Sequence, residues 1–389
     1  MIARRPTRWL RRLTRFRLRT LLVVMLVFSL VCGYLGKHVW RKSIERPVVE
    51  RVIAAGGDVN YDYQWDPELQ EYHTSIEPPG PWLIRWVLGY DIFASVESIW
   101  IPDDGGTDDE VRAMVKLPGL KNLSLGGTGI TDSSVGSFLK MERLRGLGLW
   151  GTSITPEALA RLSNLPQLEE LSLMGQDASG SHVLKVKDFK HLTSLQVFSS
   201  DATDEQVKAL GGLEQLVRLD LIRCPNVSDS GLAVLVELKN LQWLHLWETG
   251  ATGKSLAEIG KLEELVVLIL HVAPITDSDF SSLSSLRKLN SLDLTGASLT
   301  NASVPTLLKF DQLEVLKIDK TKIIDDGLQQ LTQLKNLGYL EISLSDGISL
   351  DGARKFQKLR PDCEMHCTEW LPDGTGVEID LDTGERETR

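Results

Sequence analysis

The sequence predicts an α/β solenoid, in which short parallel strands stack along a concave face and short helices cover the convex face. An apolar residue, usually leucine, occupies positions 1, 4 and 6 of a unit that returns eleven times, and nine of the ten steps between units are 24 residues long. The units start at Val96, Leu120, Leu144, Leu168, Leu192, Leu216, Leu241, Leu265, Leu289, Leu313 and Leu337. Within each unit, positions 3 to 7 alternate like a strand, and the second half is apolar at every third residue. Such periodicity is typical of stacked repeats that bury their apolar sides against one another.

The chain begins with a basic segment, residues 1–20, which contains eight arginines and no acidic residue. The uncharged apolar run 21–35 follows, and its extension to Trp40 is long enough to cross a bilayer. We therefore predict a transmembrane signal anchor over residues 21–40. The arginines favour a cytoplasmic N-terminus, which places the repeats outside the cytoplasmic membrane, in the periplasm or at the cell surface. A cleaved signal peptide with its cut at Tyr34 is the alternative.

Residues 41–95 are predicted to join this anchor to the repeats. Apolar residues recur at helical spacing over 43–55, and Gly56 and Gly57 end that pattern, which predicts a juxtamembrane helix. The stretch 59–65 alternates like a short strand. A second, apolar helix is predicted over 82–88. We expect this helix to be the N-terminal cap, because the first repeat would otherwise expose its core edge to water.

Residues 96–360 form the predicted repeat domain. In each repeat the side chains at positions 4 and 6 are expected to point inward, and those at positions 3, 5 and 7 outward. A turn follows, often Ile-Thr-Asp as at 130–132, where Thr or Asp can accept a backbone N–H bond at the start of the next helix. The spacing of Leu159, Leu162 and Leu165 predicts that this helix is short and partly 3₁₀.

Position 9 is expected to hold the turn, mostly with small side chains. Its residues are Thr128, Thr152, Gln176, Ser200, Cys224, Thr249, Ala273, Ala297, Thr321 and Ser345. Cys224 is therefore interpreted as structural. The one step of 25 residues places its extra residue at Pro225 and Asn226, in a turn that can absorb it.

Residues 361–389 are predicted to close the solenoid with a strand and a polar tail. Strand spacing places Cys363 and Cys367 about 13 Å apart, too far for a disulfide. A metal site that uses both cysteines and His366 is the alternative to a simple C-terminal cap. The tail 372–389 is predicted to be a weak hairpin or disordered.

The pattern L-x-x-L-x-L-x-x-T-x-I-T-D with its 24-residue step resembles the leucine-rich repeat superfamily, and most closely its bacterial branch related to cysteine-containing repeats. The head of the chain, RFRLRTLLVVMLVFSLVCGYLG followed by VVERVIAAGGDVNYDY, is similar to membrane-anchored members from planctomycete-type bacteria. The resemblance implies an α/β leucine-rich repeat solenoid of about eleven repeats with an N-terminal transmembrane helix. It also implies protein interaction without catalysis.

Charge and motifs exclude several classes of function. The formal net charge is −10, and residues 52–389 carry 30 basic against 51 acidic side chains, which argues against nucleic-acid binding. The segment 248–255, ETGATGKS, imitates a phosphate-binding loop, but Glu248 stands where that loop needs glycine. The acidic cluster Asp103, Asp104, Asp108, Asp109 and Glu110 is interpreted as a solvated turn. We therefore predict no enzyme activity, no cofactor and no metal site.

The strongest site signal is a row of large side chains at position 7. The row consists of Trp150, Met174, Phe198, Ile222, Trp247 and His271. Six strands about 4.8 Å apart would align it into a ridge about 24 Å long. Trp243 and His245 broaden the ridge, and Arg218 and Arg223 flank it. Exposed surface of this composition favours a protein partner; packing of these side chains on one another is the alternative, as is a cell-wall or carbohydrate ligand that stacks on the tryptophans.

Overall fold

A computed structural model describes residues 18–66, 71–73, 75–102, 105–271, 275–344, 347–371, 373, 375–381 and 383–387. Five predicted features fall outside these residues: the basic segment up to residue 17, Asp103, Asp104, and the position-9 residues Ala273 and Ser345.

The strands of the described residues form one long sheet and one small hairpin. The strands are β1 (Asp58–Tyr61), β2 (Trp65–Asp66), β3 (Glu71–Tyr72), β4 (Val96–Ile101), β5 (Asn122–Gly126), β6 (Gly146–Trp150), β7 (Glu170–Met174), β8 (Ser194–Phe198), β9 (Arg218–Ile222), β10 (Trp243–Trp247), β11 (Val267–His271), β12 (Ser291–Asp293), β13 (Val315–Lys317), β14 (Tyr339–Leu344), β15 (Glu364–Trp370), β16 (Gly376–Ile379) and β17 (Arg386–Glu387). Strands β4 to β15 are parallel and follow one another in sequence order, whereas β1, β16 and β17 pair antiparallel at the two ends. Strands β2 and β3 form the hairpin.

Short helices connect the strands. The α-helices are α1 (Leu18–Ala54), α2 (Trp82–Leu88), α3 (Asp108–Met114), α4 (Val135–Phe138), α5 (Pro156–Leu162), α6 (Gly180–Val186), α7 (Asp204–Lys208), α8 (Asp229–Leu232), α9 (Leu256–Ile259), α10 (Asp277–Phe280), α11 (Val304–Leu307), α12 (Asp325–Gln330) and α13 (Leu350–Leu359). Turns of 3₁₀ helix span Asp132–Ser134, Gly175–Ala178, Ala209–Gly212, Ala233–Glu237, Gly253–Ser255, Ser281–Ser285, Asn301–Ser303 and Leu331–Gln333. The predicted mixture of α and 3₁₀ helix is confirmed.

The leucines of successive repeats stack into one core. Leu123, Leu147 and Leu171 lie directly opposite one another on β5, β6 and β7, and all three are buried. The core continues without a break to Cys363 and Cys367 at the last parallel strand. The predicted leucine-rich repeat solenoid is therefore confirmed, with strands on the concave face and helices on the convex one.

Position 8 of the repeat has a conformation that the sequence analysis missed. Eight described residues at this position have a positive φ, six of them directly after a strand and the last two three residues after one. They are Gly127, Gly151, Gly175, Ser199, Arg223, Glu248, Gly296 and Lys320. Left-handed backbone is unfavourable for residues other than glycine. The recurring glycines at this position were the available signal.

We expect Gly151→Ala to lower the free energy of unfolding by about 1 kcal/mol, because the added methyl group meets open space and only backbone strain opposes it. Ser199→Gly, at the same position of a later repeat, should raise it by a similar amount. Gly136→Ala is the matched control: it also meets open space, but in a right-handed helix, so it should stabilise. Urea unfolding of the three variants checks the prediction, and a stabilising Gly151→Ala would contradict it.

The residues before the first repeat differ from the prediction in two ways. Helix α1 runs unbroken from Leu18 to Ala54, so the predicted anchor and juxtamembrane helix are one helix and not two. Its second half closes the core: Val48 and Val52 are buried in it, and β1 covers the edge of β4. The prediction that the helix over 82–88 is the N-terminal cap is therefore wrong, although its bounds are right. Apolar residues in α2 suggested burial, but most of them face outward.

A ladder of polar contacts ties the starts of neighbouring helices together. The predicted caps are present, since Thr155 accepts a bond from the backbone N–H of Ala158 at its own helix. The aspartate that follows such a threonine reaches instead to the next repeat: Asp277 accepts bonds from the backbone N–H and hydroxyl of Thr300, at 2.9 and 2.7 Å. Desolvation would raise the pKa of Asp277, but the bonds from Ser303 and Thr300 outweigh it and lower the pKa.

The C-terminal end closes the sheet as predicted. Strand β15 adds a parallel neighbour to β14, and its Cys363 and Cys367 face the core as free, buried thiols. The described part of the tail forms the antiparallel strands β16 and β17, which matches the predicted hairpin. Arg360, at the end of α13, is buried and donates to the carbonyl oxygens of Leu334 and Leu337.

Candidate functional site

The six predicted residues at position 7 lie side by side on the concave wall. Each is paired in register with the next along strands β6 to β11: Trp150 with Met174, Phe198, Ile222, Trp247 and His271 in turn. Met174 and Trp247 are exposed, at 42% and 39%, and the other four are half-buried. The parallel register therefore aligns these side chains as expected. We call them the position-7 row.

Aromatic rings contact one another at both ends of the position-7 row. Trp150 stacks on Trp100, a position-5 residue of the first repeat, with ring centroids 6.3 Å apart. At the other end Trp247 lies 5.4 Å from His271 and 6.2 Å from His245. Phe198 and its neighbours occupy the strands between these ends. The row is thus partly packed on itself and partly open to solvent.

Asp220 organises the residues beside the row. It is 1% exposed and accepts hydrogen bonds from Gln196 (2.8 Å), Arg218 (2.9 Å) and the indole N–H of Trp243 (2.9 Å). The guanidinium of Arg218 lies 4.2 Å from the centre of the Trp243 ring. Two predicted residues are thus fixed by a carboxylate that the sequence analysis missed. The signal was an acidic residue between two buried leucines at 219 and 221.

The two histidines have separate carboxylate neighbours. His245 Nδ1 lies 3.9 Å from Asp220, and His271 Nε2 lies 3.0 Å from Asp293. Burial lowers the pKa of His245, against the opposing effect of the Asp220 charge. Desolvation opposes ionisation of Asp293, but the bonds from His271 and Thr295 lower its pKa. This end of the row therefore combines the half-buried imidazole of His245, whose pKa is lowered, with an exposed indole.

Arg223 lies apart from the other predicted residues. It occupies the left-handed position 8 and pairs with Glu248 at 3.2 Å, with 64% of its side chain exposed. It therefore sits at the rim of the concave wall. The resemblance of 248–255 to a phosphate-binding loop has a structural explanation: Gly253–Ser255 is a single 3₁₀ turn capped by Thr252, and a side chain at Gly253 would collide with Asp279.

A polar hollow of about 380 Å³ adjoins the row near the first repeats. Its lining includes Gly146, Gly148 and Ser172, with Trp65 from the β2–β3 hairpin and Arg218 from β9. Small residues at positions 3 and 5 leave the backbone close to the surface here.

A second polar cluster lies at the other end of the wall. His366 bonds to Glu364 (2.9 Å) and Glu378 (2.7 Å), and its ring stacks on Tyr339. These two bonds raise the pKa of His366. Burial raises the pKa of Cys363 to about 11 and that of Cys367 to about 12. The described residues contain no group of three or more His, Cys, Asp or Glu that could hold a metal ion.

We expect the contact between β15 and β16 to weaken as the pH rises above neutrality. The folded-state pKa of His366 is raised, so its contribution is complete below the unfolded value of about 6.5 and is lost as the pH rises through the folded value. Hydrogen-exchange protection of Gly376–Ile379, corrected for intrinsic exchange, should fall across this range. His366→Gln should abolish the dependence; an unchanged dependence in that variant would exclude His366 as its cause.

The repeat, the parallel register and the buried leucines define an α/β leucine-rich repeat protein with a side-chain-lined concave wall. No protein-family model matches the sequence, and no curated protein matches it.

Solved structures with similar folds include an internalin, InlF, of Listeria monocytogenes (19% identity, TM-score 0.39, 61% of this chain and 89% of that chain). A plant peptide hormone receptor, RGFR1 in complex with RGF2, shares 17% identity (TM-score 0.40, 71% of this chain and 50% of that chain). A chain from the yeast Rad7–Elc1 complex shares 17% identity (TM-score 0.46, 69% and 80%). These similarities concern the fold alone. The repeat and the parallel sheet of this chain define its fold independently of them.

Proposed function

We propose that this protein is held in a membrane by α1 and binds a protein partner on its concave wall, without catalysis. The observation that carries the proposal is the position-7 row, which places exposed Trp247 and Met174 in one line with four further large side chains. Rows of aromatic and apolar side chains on an open surface are typical of interaction sites. Asp220 supports this, because it fixes Trp243 and Arg218 before any ligand arrives.

The membrane part of the proposal is supported by α1. This helix contains an apolar stretch long enough to cross a bilayer, and none of that stretch is buried inside the protein. The arginines before it favour a cytoplasmic N-terminus and repeats on the outer side. The similarity of the head to planctomycete-type proteins stays a prediction. Protease added outside the cytoplasmic membrane should digest the repeats, and full protection would contradict this orientation.

Photo-crosslinking tests the concave wall directly. A photoreactive amino acid at position 174 should crosslink a partner in the native membrane, whereas the same group at Glu205, exposed on the helical side, should not. The triple variant Trp150→Ala, Phe198→Ala, Trp247→Ala should abolish that crosslink. Its matched control is Glu157→Ala, Glu205→Ala, Lys254→Ala, three exposed residues away from the wall. Equal crosslinking yields from the two triple variants would exclude the position-7 row as the binding surface.

A carbohydrate ligand is the alternative, and one observation favours it. Trp247 offers an exposed ring face beside His245 and His271, with the carboxylate of Asp293 close by. An indole face flanked by hydrogen-bonding groups suits a sugar ring. Binding to a glycan array or to peptidoglycan that is lost in Trp247→Ala, with no protein crosslinked at position 174, would favour this alternative.

A further inference from the structure

Helix α2 turns its apolar side chains away from the protein. The α2 patch, as we call it, consists of Trp82, Leu83, Trp86 and Val87 of α2 and of Tyr90 just after it, which are 70%, 53%, 78%, 63% and 62% exposed. The charged residue of α2 has the opposite placement: Arg85 is buried and donates to the carbonyl oxygen of Pro78 at 2.5 Å. A helix on a water-facing surface has the reverse polarity. The arrangement therefore indicates an apolar environment outside α2.

The segment that contains α2 packs along α1. At one end, Pro79, Pro81 and Ile84 line an apolar pocket of about 540 Å³ together with Leu30 and Val31 of α1. At the other end, Arg46 of α1 donates to the carbonyl oxygen of Leu88 at 3.0 Å. These contacts fix the level of α2 along the axis of α1. From Leu30 to Arg46 that axis is about 24 Å long.

Helix α2 lies beside the part of α1 where the apolar segment ends. The uncharged run stops at Gly36, and the cations Lys37, Arg41, Lys42 and Arg46 follow. Two aromatic residues of α1 are exposed in the same region, Tyr34 at 58% and Trp40 at 67%. Trp and Tyr are enriched where a spanning helix leaves the hydrocarbon and enters the head-group region. The α2 patch is thus continuous with the lipid-facing surface expected for α1.

We propose that the α2 patch lies in the membrane interface on the side of the repeats, in contact with phospholipid acyl chains and head groups. The inference rests on the proposed anchoring by α1 and adds a second attachment, which sets the tilt of the solenoid over the bilayer. Lipid is favoured over a protein occupant because the patch lies at the level of the apolar part of α1, on which the opposite side of α2 packs through Ile84. An interfacial helix of this kind presents Trp and Leu to the acyl boundary.

The test uses the full chain in phosphatidylcholine vesicles, labelled with an environment-sensitive fluorophore at one position at a time. All variants carry Cys32→Ser, and the three remaining cysteines are buried, with the pKa of each thiol raised to about 11 or 12. The label is placed through Trp86→Cys, and through Trp82→Cys as a second position in the patch. Phe28→Cys reports on the anchor, and Glu205→Cys is the aqueous control.

We expect blue-shifted emission at position 86 and several-fold stronger quenching by nitroxide-labelled phospholipids than at position 205. A nitroxide near the head group should quench position 86 best, and one deep in the acyl chain should quench position 28 best. Quenching at position 28 together with an aqueous signal at 82 and 86 would overturn this inference and leave the anchor intact. An aqueous signal at position 28 would overturn both. A shielded position 86 that lipid does not quench, with disulfide crosslinks between copies, would assign the patch to self-association instead.

Discussion

Lys42→Met is expected to destabilise the N-terminal edge of the solenoid by about 3 kcal/mol, because it leaves a buried carboxylate without its main partner. Lys42 and Glu45 are 2% and 1% exposed, and Lys42 Nζ lies 2.7 Å from Glu45 Oε2. Lys42 Nζ also lies 3.2 Å from Asp91. Breaking a buried pair on one side costs more than removing both charges. The double variant Lys42→Met, Glu45→Met should therefore recover most of the loss.

Hydrogen exchange of β1 (Asp58–Tyr61) measures this effect locally, since β1 and the second half of α1 close the same edge. Stacked repeats can open at one end without global unfolding, so a local readout is needed. Arg112→Met is the control, because Arg112 and Asp109 form an exposed pair, 67% and 73% accessible, that should contribute little. A double variant less stable than Lys42→Met would show that the pair is not the cause.

Asp220→Ala is expected to lower the free energy of unfolding by about 3 kcal/mol and to disorder the concave wall beside the position-7 row. The substitution leaves the amide of Gln196, the indole N–H of Trp243 and the guanidinium of Arg218 without their common acceptor. Asp220→Asn keeps one carbonyl oxygen and should lose less. Asp220→Ala should also weaken the binding of any partner that contacts Trp243.

Two measurements separate these effects. Urea unfolding gives the stability change, and the indole N–H resonance of Trp243 reports whether its hydrogen bond persists. Asp188→Ala, at an exposed acidic residue, is the control for loss of one negative charge. An unshifted Trp243 indole resonance in Asp220→Ala would contradict the role assigned to the carboxylate.

The repeat was predictable because its signal is redundant. Eleven units each place leucine, isoleucine or valine at positions 4 and 6, so the strands, their parallel order and the alignment of Trp150 with Met174 and its successors all follow from one interval. Helix caps such as Thr155 were predictable for the same reason. Each unit contains its own copy of the residues that determine its strand, its turn and its helix cap.

The features that were missed depend on single residues or on contacts between distant segments. In the sequence, Asp220 resembles an ordinary surface acid. Its partners Gln196 and Trp243 are on the neighbouring strands, so their contacts with it appear only in the structure. The anchor and the juxtamembrane helix were predicted as two elements, whereas Lys42 and Glu45 form a buried ion pair within one continuous helix. The apolar residues of α2 were interpreted as buried, because apolarity alone does not show on which side of the protein a helix faces.

Helix α1 contains 37 residues, and its second half packs directly against the first strands of the sheet. A continuous helix of about 55 Å thus connects the apolar segment to the repeats. In the proposed arrangement, a force on the repeats would therefore reach the bilayer through this helix and change its tilt.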